Sequence, residues 1–323
     1  MADGLGGECE TFPGNPIWHH TMVRVMDREK EVKFWTEELS FTLLFSYEYP
    51  DFTLDFVGSL SDGQREVWAG YSEDEKESRL YQVWEPIVGL TWNRGRDERL
   101  HHGNGDVDGS GNGFGHLAVN VPDVYAFCEK LESHGVEFRK KPDEGRMKGL
   151  AFALTPTGYW VEILKRPKGT RFGWGDRPAL CQTMIRVKDP KISLPFFSNL
   201  FGLAPMTEKH FGPDKGDFSL HFLVHTSQTS MKEADVCVIE LTHNHGTESD
   251  KDFAYSDGNG DAYPNRGYRH VAFVVTDVKA FLVRARAFYP ELEVKKETEK
   301  LAIIRDPDGY AIELIQKGAS FLP

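Results

Sequence analysis

The sequence predicts an α+β fold built from four modules, each with a β-strand, an α-helix and three further strands (βαβββ), in two tandem domains. Three pairs of internal repeats lead to this prediction. HHTMVRVMD (19–27) recurs as CQTMIRVKD (181–189), HLAVNVPDVYAF (116–127) as HVAFVVTDVKAF (270–281), and GYWVEIL (158–164) as GYAIELI (309–315). The first module therefore resembles the third, and the second resembles the fourth.

The length agrees with two domains, because the chain has 323 residues and a domain usually takes on the order of 100–200. We place the first domain at 15–165, with modules 15–95 and 112–165, and the second at 179–319, with modules 179–246 and 264–319. A glycine-rich polar loop, 96–113, separates the first two modules. The segment 165–178 is rich in Gly, Pro and Arg and is the predicted linker.

Helix signals follow the first strand of three modules. In the second module, Asp123 can cap a helix that Gly135 ends, with apolar residues at helical spacing: Val124, Phe127, Cys128 and Leu131. The fourth module repeats that spacing with Val278, Phe281, Leu282 and Ala285. In the third, Asp189 and Pro190 begin a helix and Gly202 ends it, while Pro195 inside it predicts a short or kinked helix.

Net charge and cysteine spacing indicate which partners and which kinds of site the protein is expected to have. The 50 acidic and 38 basic residues give a formal net charge of −12, which opposes binding to nucleic acid or an anionic membrane. The four cysteines are widely spaced without a C-x-x-C motif, so neither a disulfide framework nor a thiolate zinc site is expected. The N-terminal stretch is acidic and carries no apolar run. We expect a soluble, cytoplasmic protein with a small-molecule partner.

Four side chains that can bind a metal ion stand in or beside predicted strands: His116, Glu162, Gln182 and Glu240. Side chains alternate along a strand, so Gln182 shares a face with Met184 and Arg186, and Glu240 shares a face with Asn244. An amide, two carboxylates and an imidazole form a hard, mostly oxygen ligand set that suits a Lewis-acidic divalent ion.

These stretches, and 122–164 above all, resemble glyoxalase I of the vicinal-oxygen-chelate superfamily, in its long form with two domains fused in one chain. The resemblance implies isomerisation of the hemithioacetal of methylglyoxal and glutathione to S-lactoylglutathione, which detoxifies methylglyoxal. It also implies one divalent ion, with Zn2+ expected and Ni2+ or Co2+ possible, glutathione as co-substrate, and a monomer.

In the family each metal site forms between two modules, which implies one intact and one degenerate site here. Pairing the second module with the third collects the complete set His116, Glu162, Gln182 and Glu240. Pairing the first with the fourth collects His20 in place of Gln, Gly89 in place of Glu, His270 and Glu313. Pairing the third with the fourth would also assemble four ligands, so the sequence leaves that alternative open.

The resemblance also implies roles for the residues around the intact site. Glu162 would be the base that moves the proton between adjacent carbons, and Glu240 would stay on the metal and serve the other hemithioacetal epimer. Arg186 and Asn244 would hold glutathione at one end, with Lys140, Arg146 and Met147 at the other. Met184, Leu150 and Phe152 would line an apolar pocket. One departure is Asn112, where the family has Arg; the fourth module keeps Arg266.

Two other functions remain open from the sequence. His20, His270 and Glu313 would make the two-histidine, one-carboxylate triad of non-haem Fe(II) dioxygenases. A non-catalytic binder of a small molecule is the other. The adjacent His101 and His102 could also bind metal, although we expect them to lie in a solvated loop.

Overall fold

A computed structural model describes residues 16–83, 87–105, 113–166, 175–225 and 237–321. Asn112 and most of the predicted linker lie outside the described residues. No helix in these ranges is both long and apolar enough to cross a membrane.

Four βαβββ modules follow one another along the chain. The strands are β1 (Ile17–Val25), β2 (Thr42–Glu48), β3 (Phe52–Gly58), β4 (Ile87–Asn93), β5 (Phe114–Val121), β6 (Phe138–Lys140), β7 (Ala151–Leu154), β8 (Trp160–Lys165), β9 (Ala179–Arg186), β10 (Leu203–Phe211), β11 (Phe218–His225), β12 (Val238–Asn244), β13 (Tyr268–Val275), β14 (Val294–Glu297), β15 (Leu301–Arg305) and β16 (Ala311–Gln316). The α-helices are α1 (Arg28–Lys33), α2 (Asp62–Ala69), α3 (Glu73–Leu80), α4 (Val124–Ser133), α5 (Pro190–Phe201) and α6 (Val278–Phe288).

The strands form two eight-stranded sheets. The first has the order β14-β15-β16-β13-β1-β4-β3-β2, and the second has the order β10-β11-β12-β9-β5-β8-β7-β6. The first sheet thus joins modules one and four, and the second joins modules two and three. Each join is antiparallel, β1 with β13 and β5 with β9. The α+β fold is as predicted, and of the pairings that the sequence left open the structure has the one that the family resemblance implied. Each sheet draws on both halves of the chain, and the domain limits 15–165 and 179–319 stay a prediction.

The two sheets share one hydrophobic core. Buried side chains of all four modules meet in it, among them Val23, Leu117, Ile185 and Phe273. A hydrogen bond of 2.7 Å between the hydroxyls of Thr21 and Thr183 joins the central strands of the two sheets.

Two of the predicted helices begin where their capping aspartates stand. The Asp123 carboxylate accepts the backbone N–H groups of Tyr125 and Ala126, and Asp277 accepts that of Ala280. Such side-chain acceptors satisfy N–H groups that have no partner inside the helix. Gly135, with φ +81°, follows the end of α4.

The helix α5 has the limits predicted from Asp189, Pro190 and Gly202, and Pro195, from which a short or kinked helix was expected, does not shorten it. It runs for 12 residues from Pro190, with Asp189 as its cap and Gly202 in the left-handed conformation after its end. Pro195 removes one backbone N–H from the helix. Burial of Phe196, Phe197, Leu200 and Phe201 offsets that loss.

Two further helices, α2 and α3, lie between β3 and β4 and depart from the predicted module. Each begins with a capping box: the side chain of Ser61 accepts the N–H of Gln64, whose side chain bonds back to Ser61. Ser72 and Glu75 do the same for α3. The S-x-x-Q and S-x-x-E spacing is a sequence signal for these helix starts.

A buried carboxylate on α1 ties the first module to the second. Glu31 is 0 % exposed, and its Oε2 accepts the backbone N–H and the hydroxyl of Thr157, both at 3.0 Å. Burial raises the pKa of Glu31 to about 7.

We therefore expect Glu31 to make the free energy of unfolding depend on pH. A carboxyl group whose pKa is raised on folding contributes stability at low pH that is lost as the pH rises from about 4.5 through about 7. Glu31→Gln should remove this dependence, so that wild type loses up to about 3 kcal/mol relative to the variant between pH 5 and 8. Urea unfolding of both proteins across that range measures it; a constant difference would contradict the assignment.

Candidate active site

The four predicted ligands lie close together on four adjacent strands of the second sheet, β12, β9, β5 and β8. The side-chain nitrogen of Gln182 lies 3.2 Å from Nε2 of His116 and 3.5 Å from Oε2 of Glu162, and it bonds to Oε2 of Glu240. His116 Nε2 and Glu162 Oε2 are 3.3 Å apart. Register explains the convergence, because Ala118 pairs with both Gln182 and Glu162.

This donor set fits a divalent ion. All four side chains are buried, between 4 % and 9 % exposed, and two buried carboxylates beside one imidazole leave negative charge that a cation would compensate. Donor atoms about 2.1 Å from a tetrahedral zinc ion are roughly 3.4 Å apart, and the imidazole nitrogen of His116 lies 3.3 Å from the carboxylate oxygen of Glu162. The amide of Gln182 would present its oxygen to an ion after rotation by half a turn.

Burial sets the protonation of Glu240. It raises the pKa of this carboxyl to about 7, with a further rise from the Glu162 charge and an opposing effect of His116. The hydroxyl of Thr242 donates to Glu240 Oε1 at 3.0 Å. Because metal ligands bind in their deprotonated form, an ion at this site would displace the proton from Glu240.

Asn104, which is not among the residues predicted from the sequence, joins two predicted site residues. Arg186 Nη2 donates to Asn104 Oδ1, and Asn104 Nδ2 lies 3.0 Å from His116 Nδ1. A 3-10 turn at Gly103–Gly105 holds Asn104 in place. Gly103 has φ +69° and packs so closely on β5 that an added Cβ would lie 2.5 Å from the carbonyl oxygen of Gly115. The sequence signal is only this glycine in a polar loop.

The other predicted substrate residues differ in how deeply they are buried. Phe152 is buried with its ring centroid 5.4 Å from that of His116. Met184 is buried, and Leu150 is half-buried. Asn244 donates to the hydroxyl of Tyr255 at 3.2 Å.

The loop 141–150 links module two to module three beside the site. Lys140 Nζ donates to the carbonyl of Leu150 at 2.6 Å, which closes the base of the loop. Arg146 Nη1 donates to the carbonyl of Asp214, in the turn between β10 and β11, at 2.8 Å. Met147 is 55 % exposed at the tip. In module four the corresponding connection, between Glu297 and Leu301, is only three residues long.

A second cluster occupies the equivalent place in the first sheet. His20 Nε2 lies 3.3 Å from His270 Nε2 and 3.9 Å from Glu313 Oε2, and His270 Nε2 lies 3.4 Å from Glu313 Oε2. The ligand atoms of His20, His270 and Glu313 all lie within 4.8 Å of one another. Among the described residues, this is the group of three or more His, Cys, Asp or Glu side chains that is compact enough to hold one metal ion. Burial lowers the pKa of His19 to about 4 and that of His20 well below its usual value, so both rings are neutral.

Gly89 takes the place of the second carboxylate in this cluster. It pairs with Met22, as Glu240 pairs with Met184. A Cβ at Gly89 would lie 2.5 Å from Met22 Cε and 2.7 Å from its sulfur. The Met22 thioether therefore fills the space that a longer side chain at position 89 would need.

His101 is not in a solvated loop, contrary to expectation. It is 7 % exposed, its backbone N–H donates to the carbonyl of Arg266 at 2.7 Å, and its ring stacks near Tyr263. His102 is half-buried near Tyr159, with ring centroids 5.9 Å apart. Both rings pack between modules, which is a structural role.

Comparison with known proteins agrees with this architecture. The sequence model of the Glyoxalase/Bleomycin resistance protein/Dioxygenase superfamily matches residues 17–163 and 179–314. Glyoxalase I of Saccharomyces cerevisiae is 32 % identical, with 94 % of this chain and 93 % of that protein covered. Lactoylglutathione lyase of Schizosaccharomyces pombe is 33 % identical, with 93 % and 96 % covered. Glyoxalase I from Zea mays superposes with a TM-score of 0.69 at 25 % identity, over 94 % and 92 % of the two chains.

Two eight-stranded sheets of paired βαβββ modules, each with a ligand cluster at its centre, thus define a member of the glyoxalase superfamily. Within that superfamily, the chain belongs to the glyoxalase I family in its two-domain form, and it is an enzyme of that family.

Proposed function

We propose that this enzyme isomerises the hemithioacetal of methylglyoxal and glutathione to S-lactoylglutathione at the cluster in the second sheet. The observation that carries the proposal is the convergence of His116, Glu162, Gln182 and Glu240 from four adjacent strands. These four would hold a divalent ion, Zn2+ in the first instance, with Ni2+ or Co2+ as alternatives. A bound divalent ion supplies a Lewis acid for the negative charge that develops on the substrate oxygens.

Glu162 is the proposed base. Its carboxylate would take the proton from the carbon next to sulfur and return it to the adjacent carbon, without net oxidation. Phe152 pairs with Glu162 across β7 and β8, so an apolar ring lies beside the proposed base. Glu240 remains a ligand and would serve the opposite epimer.

The glutathione moiety would lie along the ends of β9 and β12, where Arg186 and Asn244 stand. Arg186 is half-buried beside Asn104 and can bind a carboxylate through two parallel hydrogen bonds. Lys140 and Arg146 would meet the other end of the peptide, where the loop 141–150 approaches the turn after β10. Met184 and Leu150 would contact the apolar part of the substrate, and Met147 would cover it.

An assay for thioester formation from methylglyoxal and glutathione tests the proposal. Protein stripped of metal by a chelator should be inactive, and reloading with zinc, nickel or cobalt should restore turnover. Activity that survives complete metal removal would contradict it.

Replacement of Arg186 should separate binding from chemistry. Loss of a charged hydrogen bond costs about 1.5–3 kcal/mol, so Arg186→Ala should raise KM for the glutathione adduct by roughly 10- to 100-fold, with a smaller change in kcat. Arg186→Lys keeps the charge and loses the paired geometry, so it should fall between the two. An unchanged KM in both variants would mean that glutathione lies elsewhere.

We also propose a cytoplasmic monomer. Both clusters draw all their side chains from one chain, because each sheet is completed by two modules of the same molecule. Light scattering at the protein concentration of the assay should give the mass of one chain, and a larger mass would contradict the proposed monomer. Neither alternative function is needed to explain the second-sheet cluster: its complete ligand set argues against a non-catalytic binder, and the dioxygenase hypothesis concerns the other cluster.

A further inference from the structure

We propose that His20, His270 and Glu313 form a second metal-binding centre, in which two imidazole nitrogens and one carboxylate hold a divalent transition-metal ion and the remaining positions face an adjacent cleft. The proposal goes beyond the isomerase function, which needs only the ion of the second sheet. It also adds an ion to the single one that the sequence predicts.

The donor separations already match those of a bound ion. The three atoms are 3.3, 3.4 and 3.9 Å apart, and donors about 2.1 Å from a tetrahedral zinc ion are roughly 3.4 Å apart. His20 is 1 % exposed and His270 is 5 % exposed. Little rearrangement would be needed to accept an ion.

A relay of hydrogen bonds leaves the Nε2 of His20 without a proton. The carbonyl of Leu80 can only accept, so His19 Nε2, 2.8 Å away, carries the proton and His19 Nδ1 is an acceptor. The other partner of that acceptor is His20 Nδ1, at 2.8 Å, which must therefore donate. The lone pair of the neutral His20 ring then lies on Nε2, directed at His270 and Glu313. Partners that fix the tautomer in this way are typical of histidines that bind metals.

The second carboxylate of the second-sheet cluster has no counterpart in this centre. Gly89 supplies no ligand, and the thioether of Met22 fills the space over it. The ion would thus have three protein ligands, which leaves positions for an outside ligand. Two imidazoles and a carboxylate suit Zn2+, Fe2+, Co2+ or Ni2+ better than Mg2+ or Ca2+.

A cleft of about 630 Å³ reaches His270 and Glu313 from the surface. Aromatic rings form much of its wall: Tyr49, Phe52, Phe56, Tyr81 and Phe321. Three cationic side chains, Arg269, Lys296 and Lys300, also line it beside one further carboxylate, Glu299, and the buried Nε–H of Arg269 has no hydrogen-bond partner. These groups fit a small organic anion whose oxygens bind the ion while an aromatic or aliphatic body lies against the rings.

Metal counts in matched variants test the centre. Wild type loaded with zinc and freed of excess ion should hold two ions per chain, whereas His116→Ala and His270→Ala should each hold one. Glu313→Ala removes the carboxylate ligand and should also lose the second ion, which covers the case that His270→Ala unfolds. Circular dichroism checks the fold of each protein.

X-ray absorption at the zinc edge identifies which ion remains. Zinc in His116→Ala should show two imidazole ligands, and zinc in His270→Ala should show one. His19→Gln should weaken only the two-imidazole ion, by roughly 10- to 100-fold. The proposal is overturned if wild type holds one ion, or if a second ion survives in both His270→Ala and Glu313→Ala.

The nature of the outside ligand is tested on cobalt-loaded His116→Ala. Benzohydroxamate, an aromatic oxygen chelator, should change the cobalt absorption spectrum at a concentration at least tenfold lower than acetohydroxamate requires, because its ring can lie against the aromatic wall. Equal concentrations would overturn the assignment of the cleft as the ligand site and leave only the ion.

Discussion

Glu162→Gln should lower kcat for thioester formation by about 10²- to 10⁴-fold, the range that a positioned general base contributes. The amide keeps the size of the side chain and can still offer an oxygen to the metal, but it cannot accept a proton from carbon. The fold should persist, because β8, the strand that carries Glu162, pairs with β5 and with β7 through backbone hydrogen bonds that the substitution does not change. Steady-state assays with zinc-loaded protein and a metal count on the same sample measure the effect.

Glu313→Gln is the matched control, because Glu313 holds the equivalent position on β16 that Glu162 holds on β8. Ala272 pairs with Glu313 as Ala118 pairs with Glu162. This control should leave thioester formation near the wild-type rate. Equal losses in the two variants, or full turnover by Glu162→Gln, would remove Glu162 from the role of base.

His116→Ala should abolish thioester formation, and His270→Ala should spare it. Removal of one directly bound ligand usually disables a catalytic metal site, and His116 belongs to the cluster with both carboxylates. His270 lies in the other sheet, where Gly89 offers no carboxylate. Assays of both variants across a range of added zinc distinguish weakened binding from lost chemistry.

The converse result would move the active site to the first sheet. If His270→Ala were inactive and His116→Ala active, neither Glu162 nor Glu240 could take part in the chemistry. Loss of activity in both would instead mean that the two sheets depend on each other, for which the Thr21–Thr183 contact between β1 and β9 offers one route.

The sequence carried the module order and the ligand residues because both depend on local patterns. Repeats such as HHTMVRVMD and CQTMIRVKD mark equivalent strands, and alternation along a strand places Gln182 and Arg186 on one face without knowledge of the neighbours. Helix starts at Asp123 and Asp277 are local for the same reason. The capping boxes of α2 and α3 are also local sequence signals. These two helices were not predicted because all four modules were expected to have the same elements.

Contacts between segments that are far apart in the chain could not be predicted from the sequence. Asn104 reaches His116 only because Gly103 allows a turn to pack on the backbone of β5. His101 is buried by Arg266 and Tyr263, which come much later in the chain. The limits of α5 were predicted, but only the burial of its phenylalanines in the folded protein explains why Pro195 does not shorten the helix.

The sequence by itself determined that the chain holds four related modules and which of their side chains can bind a metal ion. It left open whether module three pairs with module two or with module four, since both choices assemble four ligands. The tertiary structure decided this, because β9 pairs with β5 and β1 pairs with β13. Strand pairing joins backbone groups far apart in the chain, and its outcome depends on the packing of the shared core. That same packing brought His20, His270 and Glu313 within ligand distance of one another.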